Sequence, residues 1–240
     1  MFAAELLKVR FMPAPRLALL ITVGLVVIGG LLVLTVGPAK GTSTSWYDIP
    51  DLIAQIAVAI GAIVLGAWMF GLEFSSKTIR LAATCQPSRV RLVLVKLVST
   101  ILLLAVYIVV TFAITLLIEA LLASVGQVDF PIETQVKAAL GGGIEALLWG
   151  VLAFGLTLLF RSYTAGIVAG LVLVLGVDTG LQQIPTVGKY SLGSATTSVG
   201  DAVTGDPATL ALGAALLTVA VWLIVVTGAG AARFITRDLK

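Results

Sequence analysis

Charge is the scarcest commodity in this 240-residue chain: only 11% of residues are charged and 59% are hydrophobic. Soluble domains carry about 25% charged residues, so the composition excludes an ordinary water-soluble fold. There is no histidine, and Cys85 is the single cysteine. The usual zinc-ligand sets and an intramolecular disulfide are therefore excluded, and no metal is expected. A phosphate-loop motif, Gly-x-x-x-x-Gly-Lys-Ser/Thr, is also missing, so the chain has no means of holding ATP in that way.

What is present is apolar sequence in long continuous runs, with a mean hydropathy of +1.14. A helix of about 20 apolar residues crosses a bilayer. Six runs meet that requirement: 17–36, 52–70, 92–123, 138–160, 164–181 and 210–232. They are continuously apolar and do not alternate, which argues against a barrel. The fold expected is all-α and polytopic, one transmembrane domain over residues 1–240. The segment Met1–Arg16 contains Glu5, Lys8 and Arg10 and two prolines. It does not read as a cleaved signal peptide. Phe2, Leu6, Leu7 and Phe11 share a broad side of a short helix that would lie in the membrane interface, before Pro13 and Pro15 interrupt it.

Orientation follows from where the few charges lie. Twelve of the 15 basic residues fall in the N-terminal segment, the stretch from Lys77 to Lys96, the Arg161 turn and the C-terminus. The alternate loops hold only Lys40, Lys137 and Lys189, outnumbered by acids such as Asp51, Asp129, Glu133 and Asp201. By the excess of Lys and Arg on cytoplasmic loops, both termini and the loop between the second and third runs are expected inside the cell. The stretch 182–209, rich in Gly, Ser and Thr, reads as a plain exposed loop. A re-entrant fold is the alternative there.

The segment Gly71–Arg91 is a charged island between two apolar runs. As a helix it would put Phe74, Thr78, Leu81 and Cys85 on one face, with Glu73 and Lys77 paired one turn apart. Pro87 would end it and Ser88 would begin the next helix. Such a helix, joined to two spans, suits force transmission from a cytoplasmic partner. A loop anchored to lipid phosphates is the simpler reading. Within the apolar runs, Glu119, Glu145 and Asp178 are candidates for a substrate path, and Gly141-Gly142-Gly143 opens the helix that carries Glu145. Gly166 and Gly170, with Gly176 and Gly180, are spaced for close helix packing. Trp46, Trp68, Trp149 and Tyr163 read as interfacial or lipid-facing aromatics.

The pattern Gly71-x-Glu73, Thr78-x-Arg80, Pro87-Ser88-Arg89 and Lys96 resembles the loop between the second and third helices of ATP-binding-cassette permeases of the ABC-2 type. Glu5-x-x-Lys8 and the six-span layout resemble that family too. The resemblance implies an exporter subunit of a bacterial plasma membrane with an N-terminal interfacial helix and short re-entrant helices before the last span. It also implies a cytoplasmic coupling helix, with Glu73, Phe74, Lys77, Thr78, Arg80, Leu81, Pro87 and Arg89 docking an ATPase subunit. ATP and magnesium would then belong to that ATPase and no cofactor to this chain. The other partners implied are a second copy or homologous permease and membrane lipids; no nucleic acid is expected. The substrate would be amphipathic or lipid-like, and Lys77 departs from the family, which commonly has glycine before the Thr. Two readings of other classes compete: an ion-coupled carrier using the three carboxylates, and a non-transporting assembly or immunity protein.

Overall fold

A computed structural model describes residues 11–36, 48–79, 88–126, 129–205 and 207–236. Long helices dominate: α1 (Pro13–Val36), α2 (Asp48–Ser75), α3 (Arg89–Gly126) and α4 (Ile132–Phe160). Next, α5 (Tyr163–Val172) continues through a π-helical turn (Leu173–Asp178) into the short α6 (Thr179–Gln182). A 3-10 turn (Gly188–Tyr190) leads to α7 (Leu192–Thr204), and α8 (Leu212–Thr236) closes the chain. Among the described residues there is no strand. Six helical stretches are long and apolar enough to cross a membrane, with α5, the π turn and α6 acting as one. Large apolar side chains such as Leu20, Val106, Leu217 and Ile224 lie open on their outer faces, as expected where the solvent is hydrocarbon.

Each of the six apolar runs overlaps one of these helical stretches, which are longer than the runs themselves. Pro13 and Pro15 sit in the first turn of α1 and begin the span. Proline suits that turn because its missing N–H is one that the helix leaves unbonded. The expected interfacial helix at Phe2, Glu5, Leu6, Leu7 and Lys8 lies outside the described residues.

The centre of the bundle is the crossing of α2 and α4. A Cβ on Gly66 would fall 1.9 Å from the carbonyl oxygen of Gly150, and one on Gly150 would meet Ala62 O at 2.9 Å. Backbone touches backbone here, which only glycine permits. Around this crossing Val58, Leu65, Leu104 and Val151 form one buried cluster. The Tyr107 hydroxyl reaches between α1 and α2, sharing a 2.7 Å hydrogen bond with Thr22 Oγ1. Gly61 makes room for it, since a Cβ there would lie 2.0 Å from that oxygen. A buried phenol needs such a partner.

One expectation fails outright. The stretch 182–209 is not a plain loop, because α7 folds within it and packs on α4 and α8. Leu192, Ala195, Thr196 and Ser198 are fully buried. Ser191 caps the helix, its hydroxyl accepting from Ser194 N at 3.2 Å, and Gly205 ends it at φ 83°. Thr196, Thr197 and Ser198 donate back to carbonyls three or four residues earlier. Ser198 Oγ also accepts from Leu210 N at 3.3 Å. Hydroxyls satisfied along their own helix can be buried at little cost, which is how so polar a segment enters the bundle.

The aromatic reading needs correction as well. Trp68 and Trp149 are buried in the packed interior, not lipid-facing; Trp46 lies outside the described residues. Of the small-residue steps, Gly166 and Gly170 pack internally against Thr157 and Ile63, whereas Gly176 and Gly180 face open space.

Candidate functional site

One end of the bundle collects the beginning of α1, the α2–α3 connection, the α4–α5 turn and the end of α8. Met12, Ile79, Leu92, Leu158 and Phe234 belong to a single cluster there. Arg89, Arg161 and Arg233 surround it, and it is called the basic end below. The opposite end carries Asp51, Glu133 and Asp201.

At the basic end α2 stops at Ser75. The hydroxyls of Ser75 and Ser76 both donate to Leu72 O, at 2.9 and 2.7 Å, adding to the bond that this carbonyl already takes from Ser76 N at 2.9 Å. Lys77 then turns left-handed, with φ 58°. The helix expected to carry Phe74 and Thr78 on one face is thus broken between them, and Glu73 does not pair with Lys77; Cys85 lies outside the described residues. Lys77 and Thr78 are exposed, while Arg80, Leu81 and Pro87 lie outside the described residues. The left-handed region costs an L-residue about 1–2 kcal/mol that glycine avoids.

Glu73 and Phe74 point inward. Glu73 Oε1 accepts from Lys96 Nζ at 2.7 Å, with the lysine side chain 1% exposed. The same ammonium lies 5.1 Å from the centre of the Phe70 ring, a cation–π arrangement favoured in a desolvated site. Phe74 stacks on Phe70 at 5.7 Å, and both meet the edge of Phe234, at 5.4 Å from Phe70 and 6.3 Å from Phe74. Arg89 Nη1 donates to Ile235 O at 3.0 Å and to Phe234 O at 3.4 Å. Of the five expected docking residues that are described, only Lys77 and Thr78 are presented outward.

The three carboxylates do not gather in one place: Glu145 lies within electrostatic reach of Asp178, and Glu119 of Asp51 instead. Asp178 ends the π turn and is buried, its Oδ1 accepting from Gly193 N at 2.9 Å and its Oδ2 from Gln182 Nε2 at 2.7 Å. It therefore fastens the start of α7. Glu119 is buried in α3, with Oε1 lacking a hydrogen-bond partner. Glu145 alone borders a polar cavity of about 310 Å³, together with Gln55, Thr134, Lys137, Thr197 and Asp201. Glu145 Oε1 accepts from Trp149 Nε1 at 3.3 Å, and Lys137 pairs with Glu133 at 3.0 Å.

The glycines at 141–143 shape this region. Gly141 lies against Gly200 of α7, and Gly142 fits between Phe112 and Gln55. The sequence does not reveal Asp201 and Thr197 as wall residues because α7 resembles loop, and Gln55 of α2 is a lone amide within a predicted span. The signal was Asp201 itself, an acid four residues after Thr197 and so one helical turn along. Among the described residues, no three His, Cys, Asp or Glu side chains gather into a metal site.

A family model described as ABC-2 family transporter protein matches residues 1–177. No curated protein matches the chain.

Proposed function

The chain belongs to the ABC-2 family of transporter proteins, and we propose that it is the membrane-spanning permease subunit of an ATP-driven exporter in a bacterial plasma membrane. The basic end faces the cytoplasm, as the excess of cations there favours. A separate ATPase, carrying the ATP and magnesium, docks beneath the turn at Lys77 and Thr78 and the adjoining Arg80, Leu81 and Pro87. A second copy of the chain, or a homologue, completes the pathway within the lipid. The observation that carries this reading is the outward turn at Lys77–Thr78, seated on a buried and ion-paired base. A load applied to an exposed turn is passed on only if the turn's foundation is stiff. ATP-driven closure of the ATPases then moves the helix ends between packed arrangements.

The polar cavity beside Glu145 opens among the elements of the opposite end and serves as the outward part of the path. Its mixed lining, with carboxylates against glycine and threonine, suits the polar portion of an amphipathic or lipid-like substrate. The competing ion-coupled carrier would rest on Glu119, whose Oε1 is buried without a hydrogen-bond partner.

Purification of the full chain in mild detergent, co-expressed with a candidate phosphate-loop ATPase from the same genome, tests the proposal. The ATPase should co-purify and hydrolyse ATP. Lys77→Glu combined with Thr78→Glu should lower its recovery by about tenfold, equivalent to ~1.4 kcal/mol, without reducing the chain's yield from membranes. A chain that purifies alone, or retains the ATPase equally well with both substitutions, would refute the docking role.

A further inference from the structure

The last carbonyls of a helix have no partner within it. At the end of α8 they are taken by guanidinium groups from two other parts of the chain. Arg89, at the start of α3, holds Phe234 O and Ile235 O. Arg161, from the α4–α5 turn, donates from Nη2 to Arg233 O at 2.9 Å. Arg161 is itself fixed in a left-handed cap at φ 56°, its N–H bonded to Thr157 O. Cations at a helix C-terminus are also favoured by the helix dipole. The ring of Phe234, fully buried, fills the space between these caps and the Phe70–Phe74 pair. Phe70 in turn lies beneath Lys96, which binds Glu73.

A continuous set of contacts therefore runs from both sides of the α2–α3 connection to the end of α8. We propose that Arg89, Glu73 and Lys96 are positioning residues of a relay whose output is the last span. Movement at the Lys77–Thr78 turn reaches α2 and α3 through the chain, and reaches α8 through Arg89 Nη1 on its terminal carbonyls. Glu73 and Lys96 keep α2 and α3 moving as one body, so that Arg89 travels with the turn. This inference rests on the ATP-driven reading above.

The test uses the complete complex with its ATPase in lipid nanodiscs, in a Cys85→Ser background. Single cysteines are placed by Leu212→Cys, at the far end of α8, and by Leu52→Cys, at the far end of α2; both positions are exposed. The readout is the rate of modification by a membrane-impermeant maleimide, with and without ATP and vanadate. In the otherwise unaltered complex both rates should change with nucleotide. Arg89→Ala should reduce the change at position 212 by at least about fivefold, ~1 kcal/mol of coupling, and leave the change at position 52. Arg89→Lys keeps a charged donor with a different reach and should restore part of the response at 212. Recovery of the ATPase and the response at position 52 report that the Arg89→Ala complex is folded.

If both positions still respond in Arg89→Ala, the relay is wrong. If both fall silent or the ATPase is lost, Arg89 belongs to the docking face or the fold, and the proposal also fails. No response at either position in the unaltered complex would overturn the ATP-driven reading itself, and the relay with it.

Discussion

Lys96→Met should destabilise the chain by about 3–5 kcal/mol, the usual loss when one member of a buried ion pair is removed. Lys96 is 1% exposed and its nitrogen lies 2.7 Å from Glu73 Oε1. Taking away the ammonium leaves a carboxylate in a desolvated pocket beside Phe70. The substitution preserves most of the side-chain volume, so packing loss contributes little. Glu73→Gln combined with Lys96→Met removes both charges and should recover most of the deficit. Denaturant unfolding in mixed micelles, followed by Trp68 and Trp149 fluorescence, measures all four corners of the cycle. A coupling energy below about 0.5 kcal/mol would mean that the pair adds nothing beyond its separate members.

Gly193→Val should release α7 from the bundle. A Cβ at position 193 would stand 2.2 Å from Asp178 Oδ2 and 2.8 Å from Gln182 Nε2. Valine would therefore separate the carboxylate from the N–H that it holds at 2.9 Å. Asp178→Ala removes the acceptor directly and strands Gly193 N and Gln182 Nε2, at about 1–3 kcal/mol for each group left buried. Asp178→Asn keeps a carbonyl oxygen for Gly193 N and should be intermediate. Amide exchange over residues 192–204 should accelerate about 10- to 100-fold in Gly193→Val, since a loss of 1.4 kcal/mol in local opening energy is a factor of ten. Unchanged exchange there would show that the Asp178 contact does not hold α7 in place.

The spans were legible because lipid-facing helices need no partner to declare them; a run of apolar residues suffices. Several ends were legible too, with Ser88 accepting from Arg91 N at 3.3 Å as an N-cap should. The basic end was less so. Glu73 has a lysine four positions on, and local pairing favoured Lys77. Its real partner is 23 residues away, brought alongside only when α2 and α3 pack. The left-handed turn at Lys77 has no marker because a lysine occupies a position that glycine fits better. Arg89 reads as one more cytoplasmic cation, since its acceptors, the carbonyls at 234 and 235, are anonymous in sequence. α7 was hidden for a different reason. Its Ser and Thr side chains look solvent-bound, yet their hydroxyls bond within the helix and Asp178 reaches across from the π turn. Asp178 also shows how a carboxylate in an apolar run can be structural: the residue type suggested a substrate path, and the geometry gives it a cap to hold.

The central claim is that the turn at Lys77–Thr78 meets an ATPase, and site-specific crosslinking tests it most directly. In a Cys85→Ser chain, Thr78→Cys would be treated with a short bifunctional thiol reagent in native membranes, with Asp201→Cys as the control at the opposite end. The account predicts a covalent adduct with the phosphate-loop ATPase from position 78, changed in yield by ATP with vanadate, and none from position 201. An adduct from position 201, or none from position 78 while the ATPase is present in the same membranes, would contradict it.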